Sequence, residues 1–263
     1  MTPFSALLAA IAADGEGFSV TTSDDWRQGR TLYGGIAAAL CLEATQRAFA
    51  TLPPLRSAQI SFVGPAAGAV HLKPTLPRQG KSATFVGCDL VAEGQVGTRA
   101  VFCFGAARPS AFDRKAPVMP ADLPGPDEVQ DYFPDGIGPA FRVHFDMKLA
   151  RGGRPMSGAA EPDVWLWGRH RDAAAPDDAV ALLALADAPP PAAMSLFTAP
   201  GMISSMTWMI DVLDPTALSA PGWKLMRAHA ETVVDGYSAQ AMTMWGEDGR
   251  ALAAGRQTIA VFV

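Results

Sequence analysis

Asp187 is a carboxylate inside an apolar stretch, which is an unusual place for an ionisable side chain. It follows the apolar run 182–186 and comes just before Ala188 and the triple proline 189–191. Burying a carboxylate is costly unless it has a partner, and a buried, partnered carboxylate can act as a general base. The alternative is an ordinary carboxylate at the end of a helix before a proline-rich turn, and the residues alone leave both interpretations open.

Gly34 and Gly35 are the second feature with chemical potential, because they open a helical stretch. Without side chains they would let a ligand approach the backbone amides at the helix start, where those amides could hold a developing oxyanion. They could equally form a turn that lets a helix and a sheet pack closely. Tyr33 precedes them, and we consider it a candidate either for lining a substrate tunnel or for the core.

Other catalytic signatures are missing from the sequence. There is no GxSxG motif, and no Ser-His-Asp or Cys-His spacing stands out. Cys41, Cys88 and Cys103 are isolated in apolar surroundings, which is typical of core residues in a reducing compartment. No Cys or His pair has metal-ligand spacing. We therefore expect neither a metal nor a cofactor.

Hydrophobic periodicity predicts one helix and several strands in each half of the chain. The first helix covers residues 36–49 and ends before Pro53-Pro54. The second covers 177–185, with Asp177 and Asp178 as capping residues. Strands are predicted at 57–63, 69–73, 82–92, 97–104, 141–149, 163–171, 204–213, 224–233, 237–245 and 251–263. Helices followed by antiparallel strands indicate an α+β fold.

Two stretches of the chain repeat each other weakly. Residues 80–94 and 236–249 both begin Gly-x-Ser-Ala, continue into a β-prone stretch and end in a turn that contains an acid and glycine. With one gap at the turn, Phe102 falls opposite Gln257. This pattern predicts an internal duplication of a helix-plus-sheet unit.

A segment rich in Pro, Asp and Gly separates the two units. The predicted organisation is an N-terminal domain at 1–112, a linker at 113–139 and a C-terminal domain at 140–263.

Composition limits the classes of function. Of 263 residues, 49% are hydrophobic and 18% charged, which indicates an ordered globular protein. The net charge of −5 and the lack of a basic stripe argue against a nucleic-acid partner. No apolar run reaches the ~18 residues of a membrane span, and no signal peptide is recognisable. We expect a cytoplasmic protein that does not bind membranes.

Three stretches of this chain resemble the double hot-dog acyl-CoA thioesterases, including the type II bacterial enzyme. They are residues 26–35, 183–187 and 253–257, in that order and separation. The resemblance implies two tandem hot-dog folds, each a long helix wrapped by a curved antiparallel sheet, which together form one continuous sheet. It also implies an acyl-CoA substrate, a role in fatty acid metabolism and a homo-oligomer, a dimer of double hot-dogs.

In that family an Asp on the second helix, a Thr or Ser on the next strand and a Gln on the last strand activate one water, without a covalent intermediate. By position these are Asp187, Ser205 and Gln257. Ser205 stands where the type II enzyme has Thr, and Thr207 is the alternative hydroxyl if strict alternation puts it on the same face. Without the resemblance, Gln257 would be interpreted as a surface residue.

Because Phe102 stands opposite Gln257 in the repeat, we expect one polar site per chain, in the C-terminal half. The first half would supply Gly34, Gly35 and part of the pocket wall, with Tyr33 as a further candidate substrate-binding residue.

Two rival functions stay open. An enoyl-CoA hydratase-like enzyme would need a histidine near the acid, but the fifth residue after Asp187 is Ala192. A non-catalytic acyl- or lipid-binding protein would keep the fold without the reaction.

Overall fold

A computed structural model describes residues 1–115, 117–134, 136–216, 218 and 222–263, and only the backbone of Pro77. These residues form three α-helices, which are α1 (Phe4–Ala9), α2 (Gly34–Ala48) and α3 (Ala179–Ala186). Short 3-10 helices cover Asp24–Trp26, Pro126–Glu128, Ala140–His144 and Ala192–Leu196. Within these described residues, none of the helices is both long and apolar enough to cross a membrane.

Among the described residues, fourteen strands complete the fold. The predicted strands match the longer ones to within four residues at each end, except that the strand predicted at 69–73 continues to Gln79. In the N-terminal half they are β1 (Ala12–Asp14), β2 (Gly17–Thr21), β3 (Arg27–Gln28), β4 (Thr31–Leu32), β5 (Leu55–Phe62), β6 (Ala69–Gln79), β7 (Thr84–Ala92) and β8 (Gln95–Phe104). In the C-terminal half they are β9 (Phe145–Arg151), β10 (Asp163–His170), β11 (Met202–Val212), β12 (Lys224–Val234), β13 (Tyr237–Gly246) and β14 (Ala251–Phe262).

Twelve of the strands form one antiparallel sheet with a mirrored order. The order is β1-β2-β6-β7-β8-β5-β11-β14-β13-β12-β10-β9. From the centre outward, β5-β8-β7-β6-β2 on one side corresponds to β11-β14-β13-β12-β10 on the other. The two halves meet where β5 pairs with β11, for example Ile60 opposite Trp208. This pairing covers what would otherwise be two exposed sheet edges, and the predicted continuous sheet is confirmed.

The two inner helices differ in length. Helix α2 has 15 residues and is rich in alanine, so it can lie close to the sheet, with Ile36 and Leu40 fully buried. Helix α3 has eight residues, all of them buried. Asp178 caps α3 by accepting the backbone N–H groups of Val180 and Ala181 at 2.8 and 3.1 Å. Each half therefore has its predicted helix, which is long in α2 and only eight residues in α3.

Part of segment 113–139 lies against the outer face of the C-terminal half. There Trp165 and Trp245 stack with ring centroids 5.7 Å apart. The Trp245 indole donates to the Pro117 carbonyl at 2.9 Å, and the Trp167 indole donates to the Pro124 carbonyl at 2.8 Å. These bonds satisfy two indole N–H groups and attach the segment to the sheet.

Candidate functional site

Asp187 lies directly after the last turn of α3, where the proline-rich sequence prevents the helix from continuing. Its carboxylate accepts a hydrogen bond from the backbone amide of Gly35, at the start of α2. The first half of the chain therefore holds the carboxylate of the second half at a helix N-terminus, where negative charge is favoured.

Gln257 lies on the inner face of β14 and is 4% exposed, not the surface residue that its sequence position alone would suggest. Its Nε2 donates to Asp187 Oδ1 at 2.5 Å. The structure thus brings together two of the residues that the family resemblance indicated. Burial raises the pKa of Asp187 to about 7, although the hydrogen bonds from Gln257 and Gly35 act in the opposite direction.

Glycine is required at positions 34 and 35 because atoms of neighbouring residues lie very close to the backbone there. A Cβ at Gly34 would lie 2.6 Å from Asp187 Oδ2, and a Cβ at Gly35 would lie 2.7 Å from the Ala184 carbonyl. Any side chain at these positions would push α2 away from α3 and from the carboxylate. Both interpretations of the glycine pair apply at once, because close helix packing is what brings the amide to Asp187.

Two cavities meet at Asp187. One, the polar lobe, has a volume of 280 Å³. Its wall includes Gln28, Arg30, Thr31, Gly34, Thr98 and Ser204. The other, the apolar lobe, has a volume of 410 Å³. Its wall includes Tyr132, Phe133, Ile137, Phe141, Met156 and Met194. Asp187 and Ser205 line both lobes, together with Gln28, Pro191 and Ile203, so these residues mark the place where the two lobes meet.

Ser205 and Thr207 do not lie on the same face of β11, and this part of the prediction was wrong. The pairing of β11 with β14 shifts register between them, so that Ser205 is opposite Ile259 and Thr207 is opposite Thr258. This bulge reverses the alternation. Ser205 is half-buried and lines both lobes, whereas Thr207 is exposed on the outer face and is not part of either wall.

Tyr33 lies in the core and not in the wall of either lobe. Its hydroxyl donates to the Ala184 carbonyl at 2.9 Å, which links α2 to α3. Its ring stacks on Phe141 at a centroid distance of 3.9 Å. The core alternative fits this position and the tunnel-lining alternative does not. Tyr33 supports the apolar lobe from behind, since Phe141 lines it.

Two features of the site were missed in the sequence. Gln240 is fully buried on β13 and donates from Nε2 to Gln257 Oε1 at 2.9 Å. Its signal was its place in the alternation of β13, on the inner face with Ser238, Met242 and Met244. The second feature is segment 113–139, which was treated as a linker but supplies Tyr132, Phe133 and Ile137 to the apolar lobe.

Within the described part of the chain, no group of three or more His, Cys, Asp or Glu side chains is placed to hold a metal ion. The site consists of one carboxylate, two side-chain amides, a hydroxyl and helix-start amides between a polar and an apolar cavity.

The mirrored sheet with a helix of each half on its inner face defines a double hot-dog protein. The chain belongs to the acyl-CoA thioesterase family. Residues 22–105 match the model of the acyl-CoA thioesterase N-terminal domain, and residues 116–261 match that of the C-terminal domain.

Solved structures support the fold. A conserved hot-dog protein of unknown function from Alicyclobacillus acidocaldarius is 25% identical, with a TM-score of 0.90 over 100% of this chain and 99% of that one. An acyl-CoA thioesterase II, TesB2, from Mycobacterium marinum is 17% identical, with a TM-score of 0.77 over 98% and 97%.

The dehydratase domain of RzxB from Pseudomonas fluorescens is 13% identical, with a TM-score of 0.57 over 96% and 97%. The fold is thus shared with a domain described as a dehydratase, and the reaction must be argued from the site. A search of curated protein sequences gave no significant match.

Proposed function

We propose that this protein hydrolyses the thioester bond of an acyl-CoA, with Asp187 as the general base. The observation that carries the proposal is the position of the Asp187 carboxylate. It lies where a polar and an apolar lobe meet, and it is held by Gln257 and by the amide of Gly35.

A pKa of about 7 suits a general base at neutral pH. Such a carboxylate is ionised in a large fraction of molecules, yet basic enough to accept a proton. The causes of this balance are opposed, because burial disfavours the anion while the two hydrogen bonds favour it.

The reaction needs no covalent enzyme intermediate. Asp187 takes a proton from a water molecule as the water oxygen bonds to the thioester carbonyl carbon. The tetrahedral intermediate then collapses, the C–S bond breaks with its electron pair going to sulfur, and the proton on Asp187 passes to the CoA thiolate. The products are a carboxylic acid and free CoA. The second N–H of Gln257 Nε2 and the Ser205 hydroxyl would orient the water.

The backbone N–H of Gly34 is the best-placed donor for the oxyanion. The amide of Gly35 is engaged by Asp187, which leaves the preceding amide at the start of α2 for the carbonyl oxygen. Gly34 lines the polar lobe beside Asp187. A backbone N–H at a helix start is a suitable donor for developing negative charge.

The chemistry of the lobes suits the two parts of an acyl-CoA. The apolar lobe, with its aromatic and Met side chains, would take the acyl group. The polar lobe would take the amide-rich arm of CoA, with Arg30 in its wall. The thioester carbon would then lie at the junction, next to Asp187 and Ser205.

A hydratase reaction is less well supported. Among the described residues that line the two lobes there is no histidine. His144 and His170 are buried elsewhere, and burial lowers the pKa of each to about 4.

Release of free CoA from a panel of acyl-CoAs tests the proposal, with Asp187→Asn as the variant. We expect kcat to fall by about 10²–10⁴-fold, the usual contribution of a general base. Asp211→Asn is the matched control, because it removes a carboxylate that is exposed on the outer face of β11. Unchanged turnover in Asp187→Asn would exclude the assigned base. Tight acyl-CoA binding without release by the unmodified protein would favour the non-catalytic alternative.

A further inference from the structure

Gln240 belongs to a chain of hydrogen bonds that ends at Asp187. The backbone N–H of Ala192 donates to Gln240 Oε1 at 2.9 Å. Gln240 Nε2 donates to Gln257 Oε1 at 2.9 Å, and Gln257 Nε2 donates to Asp187 Oδ1 at 2.5 Å. Gln240 is fully buried, so water does not compete for these bonds.

The backbone N–H of Ala192 determines the donor-to-acceptor direction of all three hydrogen bonds. A side-chain amide can turn over and exchange its oxygen with its nitrogen, but a backbone N–H can only donate. The oxygen of Gln240 must therefore face Ala192, and its nitrogen must face Gln257. The oxygen of Gln257 must then face Gln240, which leaves its nitrogen for Asp187.

We propose that Gln240 is a positioning residue, which holds the Gln257 amide in the orientation that donates a hydrogen bond to the Asp187 carboxylate. Gln240 does not line either lobe, so it acts through Gln257. The role it has in turnover rests on the proposed function, whereas its effect on Asp187 does not.

The consequence concerns the charge on Asp187. With the Gln257 nitrogen facing it, the anion gains a donor, and this hydrogen bond lowers the pKa of Asp187. With the amide turned over, an oxygen would face the carboxylate and favour its protonated form. The other ionisable groups around Asp187 are the buried Tyr33 phenol and the guanidinium groups of Arg30 and Arg154 in the lobe walls.

The substitutions at Gln240 leave those three groups in place. Gln240→Met removes both hydrogen bonds of Gln240, because methionine has a similar length but no amide and no charge. Gln240→Glu keeps an acceptor for Ala192. When it is ionised it offers Gln257 a second acceptor, which favours the Gln257 amide with its nitrogen turned away from Asp187. Ser238→Ala is the matched control, because Ser238 is buried two residues away on the same face of β13 and its hydroxyl has no partner among the described residues.

The experiment is a direct titration of Asp187 by carbon-13 NMR of its carboxyl group, with Asp187→Asn to assign the signal. We expect the midpoint to rise by about one pH unit in Gln240→Glu and by about half a unit in Gln240→Met. Ser238→Ala should titrate like the unmodified protein. An unchanged midpoint in Gln240→Met, whose side chain adds no charge, or an equal rise in the control, would overturn the proposal.

A measurement on the unmodified protein guards against variants that fail to fold. The side-chain N–H resonances of Gln257 should follow the Asp187 titration, because that nitrogen donates to the carboxylate. Resonances that ignore the titration would count against the orientation. Where CoA is released, the acid limb of the kcat profile should move with the midpoint. If no acyl-CoA is cleaved, the proposed function fails, but both NMR measurements still decide the role of Gln240.

Discussion

The two halves of the sheet have the same strand order but different residues at its centre. In the N-terminal half, Phe102 on β8 lies between Ala58 on β5 and Val86 on β7. In the C-terminal half, Gln257 on β14 lies between Trp208 on β11 and Gln240 on β13. All of these side chains are buried, so one half places an apolar cluster where the other places two hydrogen-bonded amides.

The difference shows that the two halves of the sheet contribute different groups to the site. Buried amides are tolerated only when their hydrogen bonds are satisfied, and in the C-terminal half Ala192 and Asp187 satisfy them. The N-terminal half has no such requirement at Phe102. It contributes the start of α2 instead, which holds Asp187 through the amide of Gly35.

The sharpest test of this comparison replaces each of the two central residues by leucine. At Gln257 this removes the amide, whereas at Phe102 it only reduces the size of an apolar side chain. Gln257→Leu should lower kcat for acyl-CoA hydrolysis by about 10²-fold, because Asp187 loses its donor and Gln240 loses its acceptor. Phe102→Leu should leave kcat unchanged and lower the free energy of unfolding by about 1 kcal/mol. Steady-state kinetics and urea denaturation of both variants measure these effects, and a loss of kcat in Phe102→Leu would break the comparison.

The next largest effect is expected at the start of α2. Gly35→Ala puts a Cβ 2.5 Å from the Tyr33 hydroxyl and 2.7 Å from the Ala184 carbonyl. Overpacking of this kind costs about 1–3 kcal/mol, and thermal unfolding should show a fall in Tm of several degrees. Gly64→Ala is the control in the same polar lobe, since its Cβ would meet nothing nearer than 3.6 Å. Equal Tm values for the two variants would contradict the close approach.

Asp187→Asn should stabilise the protein at alkaline pH. The pKa of Asp187 is raised by burial from 3.8 to about 7, so between these values the folded chain keeps a proton that the unfolded chain releases. Stability from this group is fully present below pH 3.8 and is lost as the pH rises to about 7. The neutral variant avoids that loss, and we expect a gain of about 1–3 kcal/mol at pH 8. Urea denaturation at pH 4.5 and 8 should show a much larger gain at pH 8 than at pH 4.5.

The smallest effect concerns the two hydroxyl candidates on β11. Ser205→Ala should lower kcat by about tenfold, as expected for one of several groups that orient a water. Thr207→Ala should have no effect, because Thr207 lies on the outer face beyond the bulge. Parallel kinetic measurements decide between them, and the reverse ranking would exclude Ser205 as the hydroxyl that orients the water.

Most of the fold could be predicted because its long strands alternate buried with more exposed residues, as β13 does from Tyr237 to Met244. The bulge that separates Ser205 from Thr207 could not, since a local register shift leaves no mark in the sequence. Gln240 carried a weak signal, a polar residue on an apolar face, but its partners are distant in the sequence. Asp187 stood out only because of its apolar neighbours. The apolar pattern placed the second helix at 177–185, close to the observed α3, whereas the expectation of a long helix there came from the family resemblance.

The mirrored strand order has a consequence for how such a chain can evolve. In a dimer of identical single units every substitution occurs twice, so a residue that filled one site would fill both. Once two units are joined in a single polypeptide, each position mutates alone. Phe102 can therefore fill its position in one half while Gln257 holds Asp187 in the other.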